Sequence, residues 1–185
     1  MQFHFLPLST DKALDGVQGA GLDLHDFPGV TASVCQLRPE SRGTVTIASP
    51  DPTTAPAIRP NYLSTESDCR TMIDGMKLAR RIAVQPAFAG HVAEEYLPGA
   101  LVTSDQDLLA YIRETGGTIF HPAGTCKMGN DEQAVVDDRL RVRGVEALRV
   151  ADCAIMPTVI SGNTNAPAIM IGEKAAAMIR EDRRG

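Results

Sequence analysis

Two stretches with strand character, GTVTIAS at 43–49 and LRVAD at 148–152, are separated by a long region patterned for helices. Strand systems divided in this way call for two lobes, and 185 residues suffice for one ordinary domain or two small lobes. Upstream, FPGVTASVCQL at 27–37 is a second β-branched run. The turn residues PESRG lie between it and GTVTIAS, in which Val45 and Ile47 alternate with threonines, so these two runs are predicted to form a hairpin. QFHFLPL reads as the interior of a strand, which suggests that Met1 is a cut made inside a longer protein.

A Pro-rich connector, SPDPTTAPAIRPNYL, leads into STESD, where Thr65 and Asp68 have the spacing of a capping pair. The helix that starts there should run to about Ala83. Met72, Met76, Ala79 and Ala83 share one face of it, while Arg70, Lys77, Arg80 and Arg81 lie largely elsewhere, so the methionine stripe is assigned to core packing. A second helix is expected over SDQDLLAYIRETGG, with Ser104 as N-cap and the glycine pair as its stop. VVDDRLRVRGVEALRVAD reads as a short hairpin followed by a buried strand, Leu148 to Val150, and the last helix is expected from about Pro167 to Ile179.

Composition narrows the function classes. With 43% hydrophobic and 22% charged residues the chain is in the globular range. Its 18 Lys and Arg against 23 Asp and Glu give a net charge of -5, which offers a nucleic-acid backbone no overall attraction. Cys35, Cys69, Cys126 and Cys153 form no C-x-x-C pair, so they read as reduced, small apolar residues rather than zinc ligands or disulfide partners. No apolar run is long enough for a membrane span, and MQFHFLPLST lacks the features of a signal peptide, so the chain is expected to be soluble and cytoplasmic.

The residues that can carry chemistry fall in two stretches. In IFHPAGTCKMG, His121 follows two apolar residues within a loop rich in proline, glycine and small side chains. Taken alone, such a histidine can be a hydrogen-bonded structural residue, a catalytic base or a metal ligand with Cys126; the metal reading is the weakest, because no other His or Cys has ligand spacing nearby. In SGNTNAPAIMIGEKAA, Asn163 and Asn165 occupy a turn directly before a helix, where unpaired N–H groups and the helix dipole favour negative charge. Ala166, Ala168 and Gly172 leave that end open to a flat ring or another backbone, although from this segment alone an ordinary capped helix is the better reading. A third glycine-rich stretch, GVQGAG at 16–21, has the order G-x-x-G-x-G and follows no clear strand; the dinucleotide fingerprint G-x-G-x-x-G is absent from the 185 residues.

Taken in order, QFHFLPL, SRGTVTIASPDP, IRPNYLSTESD, HPAGTCKMG, LRVADCAIMP and SGNTNAPAIMIGEKAA resemble the C-terminal part of the glucose-methanol-choline (GMC) oxidoreductases, and within them the choline dehydrogenase-like branch. The resemblance covers nearly the whole chain. It departs at Ala147, where such sequences usually have glycine, and at Cys153, where alanine or glycine is usual. It implies an α/β fold: an α+β substrate-binding lobe with a mainly antiparallel sheet over 1–126, and a strand and helix over 127–185 that return to the FAD-binding lobe. The family's N-terminal Rossmann segment would then be missing, and the isolated chain would bind FAD weakly and turn over little.

The resemblance also implies roles. His121 corresponds to the histidine beside the reactive edge of the flavin and Asn163 to its catalytic partner. Asp152 and Cys153 correspond to positions that meet the cofactor, and Asn165, Ala166 and Pro167 to the turn presented to the isoalloxazine. A neutral imidazole at His121 can accept the proton of a primary alcohol while hydride leaves for flavin N5, and Asn163 can donate a hydrogen bond to the substrate oxygen. Nothing visible favours choline over other alcohols, since the chain has no Trp and only 4% aromatic residues for a cationic headgroup. Any membrane association would come through the electron acceptor. The rival expectation is a ligand-binding or scaffolding module that has kept the fold without the chemistry.

Overall fold

Mixed helices and small antiparallel sheets place the chain in the α/β class. A computed structural model describes residues 1–10 and 24–184, so the GVQGAG stretch lies outside the described residues. These residues form two compact units, one from Met1–Gly43 and Pro60–Ile119, the other from Thr44–Arg59 and Phe120–Gly185.

In the first unit, β1 (Gln2–Leu6) pairs antiparallel with β2 (Thr31–Cys35), Gln2 opposite Cys35 and Leu6 opposite Thr31. Helix α1 (Glu66–Ala83) packs on β2 so closely that a Cβ at Gly75 would lie 2.3 Å from Val34 Cγ1, and only glycine permits the approach. Helix α1 begins and ends where the sequence indicates: the Thr65 hydroxyl accepts the Asp68 N–H at 3.2 Å, acidic residues occupy the first turn, and Arg80 and Arg81 the last. A short turn of helix, α2 (Pro86–Ala89), follows, and then α3 (Asp105–Thr115), capped by Ser104 and closed by the Gly116 N–H on the Ile112 carbonyl. Ile73, Leu108 and Ile112 are buried between α1 and α3 with Met72 and Met76 packed against them, so the methionine stripe is core packing.

The expected hairpin between 27–37 and 43–49 does not form. Strand β2 pairs with β1, while β3 (Thr44–Thr46) pairs with β4 (Ala57–Arg59) in the second unit. The reason is Asp68, which is only 2% exposed. Its carboxylate accepts the Glu40 and Ser41 N–H groups at 2.9 and 2.8 Å, the Gln36 amide at 2.7 Å and the Ser41 hydroxyl. The PESRG segment is thereby drawn over the start of α1 instead of turning back on β2. Burial raises the Asp68 pKa, but the hydrogen bonds from Ser41, Glu40 and Gln36 outweigh it and hold the carboxyl below its ordinary value.

The second unit is built around α4 (Asn165–Asp182), which extends past the expected Pro167–Ile179 at both ends. Ile171 and Ala175 of α4 pack with Val136, Leu140, Ile155 and Met156 in its core. At its C-terminal end Asp182 receives Arg139 and Arg141, each at 2.8 Å, together with Arg149. Arg141 first, then Arg139, holds the Asp182 carboxyl down at about 2.

The strand expected at Leu148–Val150 is also absent. Val136 and Val142, and Arg141 and Arg149, form single bridges only, and Leu148 is 50% exposed. Positive φ angles at Leu140 (64°), Gly144 (76°) and Ala147 (58°) break every extended run before a ladder can develop.

Two expectations follow. A folded-state pKa below the ordinary value means that the Asp68 contribution is fully present above about pH 4 and lost as pH falls through the folded value. Asp68→Ala should therefore cost about 2–4 kcal/mol at neutral pH in urea unfolding, and the gap from wild type should narrow in acid; a gap independent of pH would rule out the carboxylate as the anchor. Ala147 holds a left-handed conformation that suits glycine, so Ala147→Gly should stabilise the second unit by about 1 kcal/mol, visible as a higher thermal midpoint.

Candidate functional site

The HPAGTC loop opens at Phe120, whose φ of 59° turns the chain into His121. Gly124 adopts a φ of 90°, and a Cβ there would meet the Met156 carbonyl oxygen at 3.2 Å. Beyond it, the Cys126 N–H donates to the Ala154 carbonyl at 2.9 Å and the Met128 N–H to the Ile155 carbonyl at 2.7 Å. The loop is thus stitched to a single 3-10 turn, Cys153–Ile155, whose start is capped by the Asp152 carboxylate accepting the Ala154 N–H at 2.7 Å. Ile155 and Met156 are buried in the core, which gives the loop a rigid support.

The start of α4 meets this loop through Thr164. Its hydroxyl lies 2.9 Å from His121 Nδ1, and its carbonyl accepts the Ala168 N–H at 3.0 Å and the Cys153 thiol at 3.9 Å. Thr164 is 8% exposed, whereas Asn163, Asn165 and Ala166 are exposed and Pro167 is half-buried. No acidic residue occupies the first turn of α4, so its positive dipole end is not neutralised from within.

Of the residues singled out from sequence, His121 and Cys153 are joined through Thr164, which stands between Asn163 and Asn165. Asn165, Ala166 and Pro167 form the first turn of α4 itself. Asp152 is exposed and spends one oxygen on the cap of the 3-10 turn. All four cysteines are free and half-buried, and among the described residues no group of three or more His, Cys, Asp or Glu side chains could hold a metal ion. Thr164 itself is the residue the sequence reading passed over. The available signal is a threonine at a helix start with a proline three residues on, which removes one of the two N–H groups such a cap can take.

Residues 39–172 match the family model described as GMC oxidoreductase. The chain belongs to the GMC oxidoreductase family. Among curated GMC relatives it is 46% identical over 180 residues to an alcohol dehydrogenase [acceptor] of Pseudomonas putida, covering 97% of this chain and 31% of that protein. It is 44% identical over 180 residues to an oxygen-dependent choline dehydrogenase of Proteus mirabilis, with the same coverage of 97% and 31%. The chain therefore spans about a third of the length of these relatives. Among solved structures, a formate oxidase variant from Aspergillus oryzae matches with a TM-score of 0.79 and 30% identity, over 86% of this chain and 29% of that one. An FAD-dependent oxidoreductase from Chaetomium thermophilum matches with a TM-score of 0.77 and 31% identity, over 84% and 26%.

The GMC loop around His121 depends on glycine at 124. Gly124→Ala should cost about 1–2 kcal/mol in thermal or urea unfolding, from its left-handed φ and the approach to the Met156 carbonyl. An unchanged midpoint would show that the loop tolerates a Cβ there.

Proposed function

We propose that this chain is the C-terminal catalytic portion of an FAD-dependent alcohol dehydrogenase acting on CH–OH donors, with His121 as the base toward a primary alcohol. The observation that carries this reading is the His121 ring, engaged through Nδ1 by Thr164 next to an open helix start, so that Nε2 is left to face a substrate. Nε2 accepts the hydroxyl proton as the alcohol carbon loses hydride, and the exposed Asn163 amide donates a hydrogen bond to the same oxygen.

The residues present fit one end of a flavin. Asn165 and Ala166 are exposed at the un-neutralised start of α4, and nothing lies within 4 Å of a Cβ built on Gly172. Bound FAD would supply the hydride acceptor. Asn165, Ala166 and Pro167 would border its ring, with Asp152 and Cys153 as further cofactor contacts, and the helix end would stabilise negative charge gathered there. We assign 1–126 to the alcohol-facing lobe and 127–185 to the part that returns to the flavin lobe. The adenosine diphosphate grip would come from a preceding Rossmann segment, because G-x-G-x-x-G is absent from these residues.

Alcohol-dependent dye reduction by the chain assembled with such a segment and FAD tests the reading. His121→Ala should lower kcat by about 10²–10⁴-fold, whereas activity that survives the substitution would eliminate the base role. Titrated alone with FAD and desalted, the 185-residue chain should come out colourless; stoichiometric retained flavin would mean that it builds a cofactor site without the fingerprint. Among the described residues no helix is long and apolar enough to cross a membrane.

A further inference from the structure

We infer that Thr164 is the positioning residue for His121: its hydroxyl accepts the Nδ1–H and so fixes the neutral imidazole in the tautomer whose Nε2 keeps its lone pair. The direction of this hydrogen bond and its catalytic consequence rest on the proposed base role; the 2.9 Å contact itself does not.

Three cap positions in this chain allow an internal comparison. Thr65 and Ser104 sit in extended backbone, with ψ of 150° and 155°, and each accepts an N–H from the first turn of its helix. Thr164 occupies the same place at the start of α4 but has φ of -87° and ψ of -1°, and its side chain makes no capping hydrogen bond. A cap hydroxyl accepts from the second or third residue of its helix; the third residue of α4 is Pro167, which has no N–H to give, and the Thr164 side chain takes none from Ala166 either. The start of α4 therefore forgoes a contact usually worth about 1 kcal/mol and leaves the threonine hydroxyl for another partner.

That partner is Nδ1 of His121, at 2.9 Å. The position of the hydroxyl is set from both sides, because the Thr164 carbonyl is held by the Ala168 N–H and the Cys153 thiol. A hydroxyl can donate or accept. Donation to Nδ1 would put the ring proton on Nε2 and leave no base facing outward. Acceptance from Nδ1–H leaves Nε2 free, and the same hydrogen bond persists when Nε2 takes up a proton, so nothing at Thr164 has to reorganise during the transfer.

Ring-nitrogen NMR on the full chain with ¹⁵N-labelled histidine tests this without flavin or substrate. The His121 signals are assigned by their loss in His121→Ala, with all spectra taken in the same mildly alkaline buffer. The wild type should show a pyrrole-type Nδ1 and a pyridine-type Nε2. Thr164→Val should move the tautomer ratio toward Nε2–H by roughly five-fold, and Thr164→Ser should keep the wild-type ratio. A wild-type ring that is mainly Nε2–H would overturn the inference, as would a folded Thr164→Val whose ratio is unchanged. If the valine variant does not fold, the wild-type tautomer decides alone. In the flavin-loaded assembly Thr164→Val should lower kcat about ten-fold with KM little altered. A tautomer shift together with alcohol oxidation that survives His121→Ala would uphold the positioning role and sink the base assignment.

Discussion

The arrangement of the candidate site depends on two backbone hydrogen bonds, Cys126 N–H to the Ala154 carbonyl and Met128 N–H to the Ile155 carbonyl. They tie a loop that has no regular structure of its own to a turn whose last residue, Ile155, is buried with the following Met156 in the core of the second unit. Ile171 of α4 packs into the same core, so the loop carrying His121 and the helix carrying Thr164 are referenced to one rigid body. The 2.9 Å contact joins two side chains whose backbones are both anchored to that core.

A different device organises the first unit. Asp68 is a buried charge satisfied by two backbone N–H groups, a hydroxyl and an amide, an arrangement that offsets the cost of removing a carboxylate from water. It fixes where the chain leaves β2 and enters α1, and so it determines which strands can pair. At the C-terminal end of α4 the charges are solvent-facing instead. There Arg139, Arg141 and Arg149 converge on Asp182, and their value lies in holding the last helical turn against the 139–149 segment rather than in stability that solvent and salt would screen.

The two departures from the usual GMC pattern have different physical weight. Ala147, where the resemblance implies glycine, adopts a φ of 58°, a conformation that glycine suits. Cys153, where the resemblance implies a smaller residue, places its thiol on the Thr164 carbonyl. Neither alters His121, Asn163 or the start of α4.

Local chemistry was legible in the sequence by itself. The bounds of α1 and α3 follow from Thr65, Ser104 and the glycine after Thr115, because caps and stops act through neighbours a few residues away. The motifs around His121 and Asn163 were likewise visible as short patterns, and they carried the family. Strand pairing was not, since a β-branched run states only that it can pair and not with what. Asp68, 27 residues beyond Ser41, settled that question through hydrogen bonds no local pattern announces. Nor could the sequence reveal that Thr164 faces His121 across 43 positions, or that three left-handed residues would dissolve the strand expected at Leu148–Val150. These features depend on which backbone and side-chain groups find partners once the chain is folded, and only the tertiary structure decides that.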